Sequence, residues 1–202
     1  MSGRWRWSWP HADFPTPDFP NLIFGAISNH KVTSWATKRY NCIAWAADDD
    51  SQPWWPQSYD AYWPPTAIND ITGPAFVSAF ETLGYVLCND DGPEIGFEKV
   101  VIYTLSNGEP THAARQLRNG KWTSKLGDFA DVQHNKPEDV NGPAPTGYGA
   151  PKYFLKRPPP RFNLRRLISR IWRFVRRLFW EVNYMGRRTA EFLDAGIAKL
   201  FT

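Results

Sequence analysis

Two residues in this chain have the type and placement for acyl-transfer chemistry: Cys42, which opens the apolar run YNCIAWAA behind Asn41, and His112, which leads the segment PTHAARQL. A thiol attacks a carbonyl only as thiolate, and a helix N-terminus favours that anion through its partial positive charge and unpaired N–H groups. Asn41 is a favoured N-cap residue, so the pattern predicts a helix from Asn41 to about Ala47 with Cys42 in its first turn. The imidazole of His112 would take and return the proton, and the Cys42 N–H would serve as one oxyanion donor. Asp128 or Asp131 would orient the ring, with Asp128 slightly favoured. The competing reading makes Cys42 a small buried hydrophobe and His112 a satisfied strand residue. Cys88 reads as structural, His134 as a further site residue or a surface loop histidine, and His11 and His30 receive no role.

The elements that must position these residues follow from period and punctuation. Asp48-Asp49-Asp50 stops the first helix, because its charge opposes a helix C-terminus. Pro74, the one-face spacing of Phe76, Val77, Phe80 and Leu83, and the terminator Gly84 predict a second helix. From Tyr85 onward the period turns strand-like through YVLC, EKVVIYTL, THAARQL and KWTSKLG, with Asn107-Gly108 and Asn119-Gly120 as hairpin turns. Two-residue turns at both places put Tyr103 and Gly127 opposite His112 on a middle strand. The stretch 53–65, rich in Trp, Tyr and Pro, reads either as aromatic walls for a peptide, glycan or acyl chain, or as cover for the core, the second being favoured. Arg115, Arg118, Lys121 and Lys125 read as a solvated sheet face.

The 202 residues suffice for one well-buried domain and an appendage. The two cysteines make no disulfide framework, no Cys or His pair has zinc-ligand spacing, and the N-terminus lacks an apolar leader, so the expectation is a reduced, cytoplasmic protein without metal or other cofactor. Net charge is +4, but it divides sharply. Residues 1–155 carry 12 Lys/Arg against 17 Asp/Glu, or −5, and residues 156–202 carry 12 against 3, or +9. The organisation read from this is a Trp/Pro-rich arm (1–25), a body (26–155), a proline linker (156–160) and a basic tail (161–202).

Within the tail, 161–182 reads as an amphipathic helix. Leu164, Leu167, Ile168, Ile171, Trp172, Phe174, Val175, Leu178, Phe179 and Val182 share one half of the wheel, and Arg161, Arg165, Arg166, Arg170, Arg173, Arg176 and Arg177 the other. Its uncharged runs are too short to span a bilayer, so it is expected to lie on an anionic membrane, peripheral at the inner face, or to pack on its own domain or a partner. Nucleic acid fits less well, because the large apolar half would then need burial elsewhere.

The stretch from YNCIAWAA through THAARQL, KWTSKLG and DVQH, roughly Ser34 to Tyr153, resembles the papain-like cysteine hydrolase superfamily, including its transglutaminase-like and bacteriocin-processing peptidase branches, by way of an uncharacterised bacterial domain family. The resemblance implies an α+β fold with the nucleophile helix packed on a small antiparallel sheet. It also implies Cys42 as nucleophile, His112 as base and acid, Asp128 or Asp131 as orienting group, and a protein or peptide substrate. Trp35, Ala36 and Thr37 stand where such enzymes often carry an oxyanion Gln. On this reading the protein is a thiol hydrolase with a membrane- or partner-binding tail, of the kind a bacterial effector or toxin would be. The alternative is a non-catalytic membrane-active or partner-binding protein whose basic helix carries the function.

Overall fold

Alternating side chains, not helical faces, build most of the body. In the computed structural model, residues 30–144 and 147–159 are described, together with 171 and 175. Seven strands, β1 (Lys31–Val32), β2 (Val86–Cys88), β3 (Glu98–Thr104), β4 (Pro110–Gln116), β5 (Trp122–Lys125), β6 (Asp131–His134) and β7 (Ala150–Arg157), form one sheet in the order β1-β6-β5-β4-β3-β7-β2. Every pairing is antiparallel. Within the described residues of 30–159 two α-helices accompany it, the five-residue α1 (Cys42–Ala46) and the nine-residue α2 (Gly73–Glu81).

This β-rich architecture corrects the expectation of a papain-like α+β fold with a helix on a small sheet. The sheet is larger than the hairpin signals implied because β7 inserts between β3 and β2, and β1 adds to β6. β7 runs through Lys156 and Arg157, which the sequence had placed in the linker. Arg157 is buried, is paired with Glu98 at 3.0 Å and lies over the Tyr85 ring.

Both faces of the central strands are covered. On one face α1 and α2 bury Ile43, Trp45, Phe76 and Phe80 against Val100, Ile102, Ala113 and Leu155. On the other, Val101, Tyr103, Ala114 and Trp122 pack with Val140 of a short 3₁₀ helix (Pro137–Val140) and with Tyr148 and Phe154. Because successive strand residues point to opposite faces, this two-sided burial assigns each residue of β4 to one cluster or the other.

The hairpins close with three-residue loops, since Leu105 pairs with Glu109 and Leu117 with Lys121, and Gly108 (φ 87°) and Gly120 (φ 79°) take the left-handed position. Between β3 and β4 a register shift at Tyr103/Thr104 compensates, so Tyr103 does face His112. Between β4 and β5 nothing compensates, and Ala114 faces Ser124, one residue off the expected alignment of His112 with Gly127. Lys125, expected in solvent, is fully buried, and Arg115 is half-buried over the Trp45 ring in an ion pair with Asp48.

The arm 1–25 and the tail residues Arg165, Arg166, Arg170, Trp172, Arg173, Arg176 and Arg177 lie outside the described residues. Ile171 and Val175 are helical. No helix among the described residues is long and apolar enough to cross a membrane.

Gly149 (φ 78°) sits where the chain enters β7, and a Cβ there would run into the Thr104 carbonyl and the Leu105 amide. Gly149→Ala therefore combines a left-handed backbone with a clash against main chain, and should cost at least about 2 kcal/mol in denaturant unfolding.

Candidate functional site

Asn41 is a hub. Its side-chain oxygen accepts from Ala44 N at 3.1 Å, capping α1, and from Trp54 N at 3.1 Å, and its amide donates to Trp54 O at 2.7 Å. One side chain thus starts the helix and clamps the following loop. Beyond the C-cap Ala47, the left-handed φ of 67° at Asp48 turns the chain out of α1 and lets Asp49 N reach back to Ala44 O at 2.9 Å.

Cys42 takes the first position of α1 and presses against the backbone of β4, with Sγ 4.0 Å from Thr111 O. It is only 7% exposed. Burial pushes the thiol up to about 11; the N–H groups of Ala113, Ile43 and Cys42 and the charge of Lys125 act the other way without offsetting it. A five-residue helix aligns few peptide dipoles, so the desolvation of a thiolate outweighs the electrostatic help at its N-terminus. At neutral pH Cys42 is a thiol.

His112 leaves β4 on the opposite face. Thr111, Ala113 and Arg115 alternate toward α1, whereas His112 and Ala114 join the second cluster, where the imidazole stacks on Tyr148 (centroids 4.0 Å, planes 14° apart) and lies 5.2 Å from the Tyr103 ring. It is fully buried, and neither ring nitrogen has a hydrogen-bond partner among the described residues. Burial first, then the neighbouring His134, holds its pKa well below the ordinary histidine value. Cys42 and His112 therefore do not form the expected dyad: the pleat of β4 lies between their side chains.

The carboxylates do not complete the arrangement either. Asp128 is at the surface, 3.4 Å from the Lys38 ammonium. Asp131 is buried on the α1 side, where Oδ2 accepts from the Tyr40 hydroxyl at 2.8 Å and the backbone N–H donates to Ser34 Oγ at 2.8 Å. Cys42 and Asp131 share a face of the sheet, but His112 does not join them.

Two polar groupings differ from the sequence reading, which expects Lys125 on a solvated face and His134 as a further site residue or on a surface loop. The first surrounds Lys125, which donates to Gly127 O at 2.6 Å and to Phe129 O, and sits 5.5 Å from the centroid of the Tyr40 ring. Burial pulls its ammonium down to about 8, against Asp131, Asp128 and Cys42, which hold it up. The second is Ser124 with His134, both buried: His134 Nε2 is 2.9 Å from Ser124 Oγ and Nδ1 is 2.7 Å from Lys136 O. A carbonyl only accepts, so Nδ1 carries the proton and Nε2 accepts the serine hydroxyl. This pair satisfies its own buried polar groups; it has no exposure to a substrate. Among the described residues no three His, Cys, Asp or Glu side chains are grouped to hold a metal ion.

A thiol this high in pKa gains reactivity only in strong base. Iodoacetamide should modify Cys42 of the native protein more slowly than half-buried Cys88 at pH 7, with the Cys42 rate rising toward pH 11, as followed by mass spectrometry. His112 supplies a second expectation. Its folded-state pKa lies below the unfolded value, so its contribution to stability is intact above about pH 6.5 and is lost as pH falls below that. His112→Phe keeps the ring stack and removes two unpartnered nitrogens, so it should leave stability at pH 7 unchanged or raised by about 1 kcal/mol, and flatten the acid side of the stability profile.

The sequence profile of the family described as "Domain of unknown function (DUF7689)" matches residues 31–156, which runs from the first residue of β1 to the penultimate residue of β7. No curated protein and no solved structure matches this chain. The match takes in α1, α2 and all of the seven strands except Arg157, and stops before Pro158. Since it spans more than half of the chain, the protein belongs to the DUF7689 family.

Proposed function

We propose that this protein is a non-catalytic binding protein that attaches to anionic membrane surfaces, peripherally at the inner face, through its basic amphipathic segment 161–182. The observation that carries this reading is that Ile171 and Val175, one helical turn apart on the apolar half of the wheel, are helical and remain 51% and 42% exposed. Apolar side chains left open to water are stabilised wherever they find an apolar boundary. The seven arginines on the opposite half add attraction to anionic headgroups, about 1 kcal/mol for each charge close to the surface. Residues 1–155 carry a net charge of −5, so the excess of positive charge lies beyond them.

Lipid is favoured over nucleic acid because a phosphate backbone would use the arginines and leave the apolar half open. It is favoured over packing on the protein's own domain because Ile171 and Val175 are not covered. Acyl transfer by Cys42 gains no support from a protonated thiol with His112 on the far side of the sheet.

The test is co-sedimentation of the full chain with phosphatidylcholine vesicles, with or without phosphatidylglycerol. Binding should require the anionic lipid and weaken as salt rises from about 0.1 to 1 M, where the Debye length falls from about 10 to 3 Å. Replacing Ile171 and Val175 together with Glu should weaken binding at least about tenfold. Binding indifferent to salt, or unchanged in that variant, would overturn the proposal.

A further inference from the structure

The longest irregular stretch between elements of the body is 47–72, the 26 residues between the end of α1 and the start of α2. Connections beyond about 12–15 residues without regular structure are uncommon in compact domains and tend to be binding loops. This one is held in a single shape. Asn41 grips Trp54 from below, Trp54 Nε1 donates to Asp49 Oδ2 at 2.8 Å, Tyr62 N donates to Pro53 O at 2.8 Å, and Ile68 N donates to Ser78 Oγ of α2 at 2.9 Å.

At its tip lies an open groove of about 460 Å³ lined by Gln57, Ser58, Tyr59, Ala61, Trp63 and Asn69. None of these side chains is charged. Trp63 is a fixed wall: its Nε1 donates to Ile68 O at 3.0 Å and its ring centroid is 5.1 Å from that of Phe76. Gln57 holds a left-handed backbone (φ 57°), a conformation that disfavours side chains other than glycine and asparagine. Its N–H donates to Asn69 Oδ1 at 2.7 Å and its side-chain amide to Asn69 O at 3.2 Å and to Asp70 Oδ1 at 3.4 Å. Among the described residues these bonds leave the Gln57 side-chain oxygen as acceptor and the Asn69 amide as donor. The Tyr59 ring stands fully exposed at the rim.

We propose that this groove binds a neutral saccharide. A sugar presents hydroxyl groups, each donor and acceptor at once, and a patch of C–H bonds on its ring face. Paired amide oxygen and nitrogen answer the first, and the Tyr59 and Trp63 rings answer the second. The lining itself is uncharged and the nearby charge, the Asp70 carboxylate on Gln57, is negative, so a phosphate, sulfate or carboxylate ligand would find no counter-ion among them and its desolvation would go uncompensated. The volume falls within the usual range of small-molecule sites, about 300–1,000 Å³, while the open side suits one residue of a longer chain. Gln57 is held in an uncommon conformation by the same asparagine that lines the groove, which fixes the polar groups in place before any ligand arrives.

The experiment is titration of the full-length protein with maltotriose, cellotriose and mannotriose, read by calorimetry and by tryptophan fluorescence. At least one sugar should bind with a Kd at or below roughly 10 mM. Tyr59→Ala should weaken it at least about tenfold, Tyr59→Trp should restore binding, and Ile95→Ala, at another fully exposed position, should leave it unchanged. Because Tyr59 is exposed, its removal should not alter the thermal midpoint, which confirms that the loss is local. The proposal is overturned if none of the three sugars binds, or if Tyr59→Ala binds as well as the parent chain. Either result leaves the lipid reading of the tail standing, since vesicle binding uses a different part of the chain.

Discussion

The constraint on which the rest of the structure depends is the pleat of β4 within a sheet buried on both faces. Consecutive residues of a strand leave on opposite sides, and here each side already has its own cover: α1 and α2 over one, the 3₁₀ helix and Tyr148 over the other. Thr111 and Ala113 therefore belong to Cys42 and its helix, and His112 to the aromatic cluster. Moving the imidazole to the thiol side would require slipping β4 by one residue. That slip would turn Arg115, with its Asp48 partner, and Ala113 out of the first cluster and unmake the packing of α1.

Much of this was legible in the sequence, and the reasons are specific. Asn41 announced the N-terminus of α1, Pro74 and Gly84 bracketed α2, and the Asn-Gly pairs marked the turns between β3, β4 and β5. What failed was finer. Asn-Gly fixes that a hairpin turns but not whether its loop holds two residues or three, and the difference of one shifted the partner of β4. β7 was hidden because its residues APKYFLKR follow a Pro- and Gly-rich stretch, which masks their alternation, and strand order in a sheet is set by packing that no local pattern carries.

The site was read by residue type, and type was the weaker guide. A Cys behind an N-capping Asn and a His on a central strand are both where the chain placed them, yet two residues correctly assigned to their elements can still stand on opposite sides of one layer. Alternation along THAARQ, with Arg115 answering Asp48 at the end of α1, held the clue: it puts the odd-numbered residues on the helix side. Lys125 misled in another way. Alternation along WTSK says it shares a face with Thr123, but only the tertiary structure shows that this face is enclosed by Tyr40 and by the carbonyls of Gly127 and Phe129.

The DUF7689 domain is an acidic sheet domain that carries a long hydrogen-bonded aromatic loop, and an arginine-rich stretch of sequence follows its last strand. The separation of thiol and imidazole is the claim most directly open to test, by ¹⁵N NMR of the histidine rings in the native chain and in Cys42→Ser. His112 should stay neutral through the range where an exposed histidine titrates, near 6.5, and its ring resonances should match in the two proteins. A His112 that titrates in that range, or whose ring nitrogens shift when the sulfur is removed, would contradict that claim.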